Sequence, residues 1–304
     1  MIKVFGHLSP DTDCTGSAIV WAWYLSNHTG VEATPYVLGG LNKETEFVLS
    51  KWGVETPTLL ESVSADDSVV IVDTNNPQEL FANINDTEIL QIIDHHKLVG
   101  GLTTQTPIDI TVRTLASTAS VIYDLIGEEE LPEHIAGILL SCILSDTLEF
   151  RSPTTTPQDK DIAETLAKVL NVDISSYASE MFAAKSDISD FTDSGLIKLD
   201  SKKFAVGDTN LRVSVIETTD PSTILARKAG IITAIEELVA AEADVDEVLF
   251  FIVDILKEEA TALTYNETTK GIIAKSFSVK VESDTEVLPG IVSRKKQILP
   301  SLKV

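Results

Sequence analysis

Cysteine is scarce: Cys14 and Cys142 are the only two in 304 residues, too few for a disulfide framework, which suits a reducing cytoplasm. Free cysteines usually pack as small hydrophobes, so Cys14, although it sits among ligand-type residues, reads first as a packed side chain and second as a metal ligand. Basic residues are also few, 23 Lys and Arg against 47 Asp and Glu, and the formal net charge of -24 argues against holding nucleic acid or an anionic membrane by general electrostatics. Long apolar runs are missing. The longest, "IAGILLSCIL", is too short for a bilayer span and ends at Ser145 and Asp146, so it predicts a buried helix. The start, "MIKVFGHLSP", lacks the basic region, apolar stretch and small-residue cleavage site of a secretory signal and reads as a first strand. The expectation is a cytoplasmic protein without a membrane anchor.

What the chain does have is enough apolar content, 43%, to fold, and a length that suggests two domains. Up to about residue 185, short β-rich runs alternate with longer helical ones: "IKVF" then "GSAIVWAWYLSN", "ATPYVLG" then "KETEFVLSKWG", "SVVIVD" then "PQELFANI", and then "EILQIID". This alternation predicts an α/β domain, a mostly parallel sheet with helices on both faces. Helices are expected at "STASVIYDLIG", "PEHIAGILLSCILSD" and "KDIAETLAKVLN". Ser, Asp and Gly accumulate in "KSDISDFTDSG", as in an inter-domain linker. The expected organisation is a domain over residues 1–186, a linker over 187–192 and a smaller α+β domain over 193–304. In the last, "LRVSVIET", "EVLFFIVDIL", "EATALTYN" and "FSVKVES" read as strands, "PSTILARKAGIITAIEELVAAEA" as one long helix, and "KGIIAK" as a short one.

In open parallel sheets ligands gather beyond the carboxyl ends of the strands, and there this sequence places metal-ligand types. His7 follows "KVF", with Asp11 and Asp13 in the loop after it; "VVIVD" ends in Asp73; "LQIID" ends in Asp94, followed by His95 and His96; and Asp146 closes the long apolar helix. A carboxylate ending an apolar run is costly to desolvate unless it is paired or bound to a cation. Each has an ordinary alternative: Asp11 or Asp13 as a helix cap, Asp73 and Asp146 as turn residues, and the two histidines as satisfied side chains. Their joint occurrence favours a site.

Together "GHLSPDTD", "VDTNN", "IDHHK", "LSDT" and "SRKKQ" resemble the DHH phosphoesterase superfamily and, within it, the family II, manganese-dependent inorganic pyrophosphatases, over essentially the whole chain and in order. The resemblance implies a DHH-type catalytic domain, a C-terminal substrate-binding domain, and an active site between them. It implies two Mn2+ ions ~3.5–4 Å apart, for which Co2+ or Mg2+ could substitute, with a bridging hydroxide that attacks pyrophosphate. His7 and Asp11 would hold one ion, Asp13, His95 and Asp146 the other, and Asp73 both. His96, Lys202, Arg294 and Lys295 would bind substrate and stabilise charge in the reaction, with Lys203 and Lys296 as adjacent competitors, and additional Mg2+ would arrive with the substrate. Asp94 would orient a neighbouring imidazole. A homodimer is also implied.

Four carboxylates cancel two divalent ions, so further positive charge is needed to hold a phosphoanhydride, and an Arg fork with Lys point charges suits it. The chain departs from the family where the motif usually reads Asp-His-Asn: here it is Asp73-Thr74-Asn75, and Thr74 cannot ligate as an imidazole does. Rival readings are another phosphoesterase of the superfamily, acting on oligonucleotides, cyclic dinucleotides or polyphosphate, and a non-catalytic, metal-dependent phosphate sensor. Only about fifty residues separate His96 from Asp146, too few for an inserted regulatory domain of ~100 residues.

Overall fold

β-branched runs bounded by polar loops build the first half of the chain. In the computed structural model, which describes residues 1–127 and 129–304 and only the backbone at positions 295 and 296, residues Met1–Ala184 and Lys185–Val304 form two units. The first contains β1 (Ile2–Phe5), α1 (Thr12–Tyr24), β2 (Ala33–Val37), α2 (Lys43–Trp52), β3 (Thr58–Leu59), β4 (Ser68–Val72), β5 (Glu88–Asp94), β6 (Asp109–Val112), α3 (Thr118–Ile126), α4 (Glu133–Thr147), α5 (Pro157–Leu170) and α6 (Ile174–Lys185). Its strands form one sheet in the order β3-β2-β1-β4-β5-β6, and all the pairings are parallel. The chain builds outward from β1 to β3, then restarts on the other side of β1 with β4. The loops after β1 and β4 therefore leave in opposite directions and open a crevice at the carboxyl edge.

Val69–Val72 of β4 are all buried, as expected of a parallel strand covered on both faces, and each such side chain contributes about 1.5–3 kcal/mol of transfer free energy. Phe5, Val69, Ile71, Ile89 and Ile92 form one buried cluster with Leu38, Val63, Leu80 and Ile84. Helix α1 lies against β1, β2 and β4, and α4 packs on α1, α3 and α5. Helix α4 is buried from Ile135 to Ser145. Among the described residues, no helix is long and apolar enough to cross a membrane. "PQELFANI" is not a helix but two 3-10 turns, Pro77–Glu79 and Ile84–Asp86. Asn76 caps the first, and Asn83 and Asn85 donate to backbone carbonyls of Val63 and Gly101, so side chains satisfy groups that a helix would have paired.

The second unit holds α7 (Asp193–Leu199), β7 (Ser201–Val206), β8 (Thr209–Thr218), α8 (Pro221–Leu225), α9 (Lys228–Ala241), β9 (Glu247–Asp254), β10 (Glu259–Leu263), α10 (Glu267–Phe277), β11 (Thr285–Pro289) and α11 (Leu299–Ser301). Its five-stranded sheet runs β11-β10-β9-β8-β7, with β8 and β9 parallel and the other pairs antiparallel. Along β9, Val248, Phe250 and Ile252 enter one core while Leu249, Phe251 and Val253 enter the other, which explains the unbroken apolar run "VLFFIV". Two expectations fail here. The long helix is broken into α8 and α9 at Arg227, whose guanidinium binds the Asp193 carboxylate and the carbonyls of Ile188 and Phe191. "FSVKVES" is not a strand: Ser278 turns left-handed after α10, Val279 and Val281 pack on the core without strand partners, and the strand follows at Thr285–Pro289.

Candidate metal centre

Asp11 is the N-cap of α1, accepting from the Cys14 amide at 3.0 Å, and its other oxygen lies 3.8 Å from His7 Nε2. Capping and facing the imidazole are thus compatible. Asp73 follows β4 in a left-handed conformation, φ +60°, which Asp and Asn tolerate better than most residues. That turn places its buried carboxylate between two imidazoles, Oδ2 at 3.5 Å from His7 Nε2 and Oδ1 at 3.4 Å from His95 Nε2, while Oδ1 also accepts the Thr118 hydroxyl at 2.8 Å. Burial pushes the Asp73 carboxyl up, but the hydrogen bonds from His7 and His95 outweigh it and hold it well below the carboxylate range.

Asp13 is buried at the start of α1 and meets the N-terminus of α3. Its Oδ1 accepts from Ser117 Oγ at 2.7 Å and Ala119 N at 3.0 Å, and its Oδ2 from Thr118 N at 2.6 Å. The amides at a helix start are a ready-made anion site. Burial and the neighbouring Asp73 nevertheless push Asp13 up to about 7, and burial with Asp13 and Asp73 pushes Asp146 well above its ordinary range. His95 Nε2 is 3.9 Å from Asp146 Oδ2, and its Nδ1 faces the Leu115 carbonyl at 3.1 Å. Burial alone would lower His95, but Asp73 and Asp13 raise it to about 9. Three groups bring ligand atoms within 4.8 Å of one another: His7, Cys14 and Asp73; Asp73, His95 and His96; and Asp13, His95 and Asp146. Cys14 is itself buried, its thiol 3.9 Å from the His7 carbonyl oxygen.

Around these sit groups that position them. Asp94, fully buried, accepts through Oδ1 from the amides of His95 and His96 and lies 2.9 Å from His96 Nδ1. His96 itself is half-exposed. Thr74 donates to Glu79 at 2.7 Å and accepts from the Asn76 amide at 3.1 Å. Asn75 donates to Asp94 at 2.5 Å and to the Lys97 carbonyl, and accepts from the Val99 amide. Thr74, Asn75, Glu79, His96 and Lys97, with His7, Asp11 and Asp73, line a cavity of about 260 Å³. Among its described lining residues Lys97 is the one lysine or arginine. Ser117, Thr118, Asn75, Glu79 and Lys97 are not among the residues expected from sequence. The N-cap pattern in "LASTAS" was the available signal for the first two.

Lys202 and Arg294 belong to the second unit. Lys202 stands exposed on β7 opposite Val213, with no ion pair among the described residues, whereas Lys203 is paired with Glu242 and Asp244 at 2.8 Å. Arg294 opens a π-helical turn, Arg294–Ile298, and binds Asp200 by its carboxylate at 2.8 Å and its carbonyl at 2.9 Å. Gln297 holds that turn through the amides of Val292 and Ser293 and the carbonyl of Gly290. The side chains of Lys295 and Lys296 lie outside the described residues.

Comparison with known proteins follows the same division of the chain. The model of the DHH family N-terminal domain matches residues 1–143, and that of the DHHA2 domain residues 179–304. The "probable manganese-dependent inorganic pyrophosphatase" of Lactobacillus acidophilus is 37% identical over 98% of this chain and 96% of its own. The manganese-dependent inorganic pyrophosphatase of Methanocaldococcus jannaschii is 38% identical over 100% of this chain and 98% of its own. A crystal structure of a Methanococcus jannaschii chain described as a "putative family II inorganic pyrophosphatase" superposes with a TM-score of 0.65 at 38% identity, covering 99% of this chain and 98% of that one.

Proposed function

Because the chain belongs to the family II, manganese-dependent inorganic pyrophosphatases, we propose that it hydrolyses inorganic pyrophosphate to two phosphates at a dinuclear manganese site. The observation that carries this reading is Asp73, one buried carboxylate whose two oxygens each face a different imidazole. His7 and Asp11 would hold one ion, Asp13, His95 and Asp146 the other, and Asp73 both. The donor set fits: imidazole nitrogens and carboxylate oxygens suit Mn2+, with Co2+ or Mg2+ as substitutes, and the upward push on Asp13 and Asp146, from burial first and from the neighbouring carboxylates second, is one that a cation would oppose. Divalent ions there supply Lewis acidity and, by acidifying water, a nucleophile at neutral pH.

The remaining roles fall to the chain's own groups. Asp94 fixes the His96 ring through Nδ1, which leaves Nε2 for a phosphoryl oxygen. Lys202 rather than Lys203 serves the substrate, since Lys203 is committed to two carboxylates. Asp200 pre-orients the Arg294 guanidinium, and Lys202, Arg294 and Lys295, with His96, would stabilise the charge that develops on the phosphoryl oxygens. Additional Mg2+ accompanies the substrate, and the enzyme works as a cytoplasmic homodimer.

The test is phosphate release from pyrophosphate, with ATP, polyphosphate and a dinucleotide in parallel, after chelation and reloading with Mn2+ or Mg2+. Pyrophosphate-selective turnover restored best by Mn2+ is expected. Cleavage of another substrate would assign the chain to a different phosphoesterase activity, and binding without turnover to a sensor.

A further inference from the structure

Glu44, in the first turn of α2, is a carboxylate only 1% exposed and outside every role assigned so far. Its Oε2 accepts the Thr12 hydroxyl at 3.0 Å and the Ser145 hydroxyl at 2.7 Å. Thr12 stands between Asp11 and Asp13, and Ser145 immediately precedes Asp146. A single oxygen therefore fastens together the two helix ends, the start of α1 and the last turn of α4, that carry three of the proposed ligands. The fastening is itself braced. Thr12 Oγ1 lies 3.1 Å from Thr45 Oγ1, and Thr45 bonds through both its amide and its hydroxyl to Asn42, the N-cap of α2.

A neutral side chain could join the two hydroxyls without the desolvation cost of a buried carboxylate. An ionised Glu44 has the same sign as Asp11, Asp13, Asp73 and Asp146 and would favour a cation bound among them. We propose that Glu44 is a positioning residue of the metal centre: it holds Asp11, Asp13 and Asp146 in register through Thr12 and Ser145, and its negative charge strengthens divalent-ion binding. This rests on the dinuclear reading given above. Outer partners of this kind change metal affinity by ~10–100-fold when removed.

The experiment is Mn2+ titration of the full chain, with free ion followed by electron paramagnetic resonance, beside urea unfolding of the chelated protein, for the wild type, Glu44→Gln and Ser145→Ala. Glu44→Gln keeps an oxygen acceptor and loses the charge. It is expected to weaken Mn2+ binding about tenfold or more while the chelated protein unfolds at the same or a higher urea concentration. Unchanged Mn2+ affinity, or a loss of chelated-state stability with affinity intact, would overturn the inference. If Glu44→Gln does not fold, Ser145→Ala decides: weaker Mn2+ binding supports the clamp and unchanged binding overturns it. A wild type that binds no Mn2+ would instead remove the metal centre itself, an outcome distinct from a wild type and variant that bind equally.

Discussion

Removing divalent ions and raising the pH should weaken the first unit. Burial, with Asp73 and Asp13 as neighbours, holds Asp13 at about 7 and Asp146 well above the carboxylate range. A folded-state pKa above the unfolded value contributes stability that is fully present below the unfolded pKa and is lost as pH rises through the folded one. His95, raised to about 9 chiefly by Asp73 against the opposing effect of burial, has the same sign, its contribution fading above its ordinary 6.5. Asp73 is held low, so its contribution is lost only in acid, below the range considered.

From pH 5 to 7 Asp13 alone traverses two units, about 3 kcal/mol at 1.36 kcal/mol per unit. Asp146 and His95 share its network, so their losses overlap with this one and ~3 kcal/mol is the expected total between pH 5 and 9. At an m-value of about 3 kcal/mol/M in urea the midpoint drops by about 1 M. The assay is well placed, because all three tryptophans, Trp21, Trp23 and Trp52, belong to the first unit and their fluorescence reports its unfolding. Mn2+ at a thousand times its Kd should restore about 4 kcal/mol, most effectively at the alkaline end where it no longer competes with protons. A chelated protein whose urea midpoint is flat or rises from pH 5 to 9 would refute the reasoning.

Three other outcomes are expected. Asp73→Asn should fold, since Asn tolerates the left-handed turn at position 73, but should lose Mn2+ affinity by more than the ~10–100-fold cost of losing an outer partner, together with pyrophosphate turnover; wild-type turnover would end the two-ion model. Lys202→Ala should raise KM for pyrophosphate with unchanged thermal stability, while Lys203→Ala should leave the kinetics as they were; steady-state assays that reverse this order would exchange the two roles. Gly137→Ala should cost about 1–3 kcal/mol and perturb Trp52 emission, because an added Cβ would meet the indole ring at 2.1 Å; an unshifted melting curve would mean that α2 and α4 separate freely.

Where an apolar run ends in a charged residue, the sequence exposes both the element and its chemistry. That is why β1, β4 and β5 and the residues at or just beyond their ends, His7, Asp73 and Asp94 to His96, could be read directly. The same signal is absent from β7, "SKKFAV", an edge strand with exposed lysines that only its register with β8 makes a strand. Short β6 and the segment from Pro77 to Asp86 likewise carry no period. Ser117, Thr118 and Glu44 escaped for another reason. Hydroxyls at a helix start and a glutamate in "NKETEF" look like a cap and a solvated face, and only the tertiary approach of α3 to Asp13 and of α2 to Thr12 and Ser145 gives them partners.

Thr74 shows the limit from the opposite side. As a departure from Asp-His-Asn it registers in the sequence only as a missing imidazole. In the fold its hydroxyl joins Glu79 to the Asn76 amide and ties down the turn that follows Asp73. That turn presents Asn75, whose amide group links Asp94 to the Lys97 carbonyl and whose oxygen receives the Val99 amide. The strands β4 and β5 are thus joined beyond their ends by side chains, and the Asp73 amide is bonded to the Ile93 carbonyl at 2.9 Å. With that turn closed through the Thr74 hydroxyl, the Asp73 carboxylate before it lies between His7 and His95. Thr74 therefore works on the turn that surrounds Asp73, through Glu79 and the Asn76 amide.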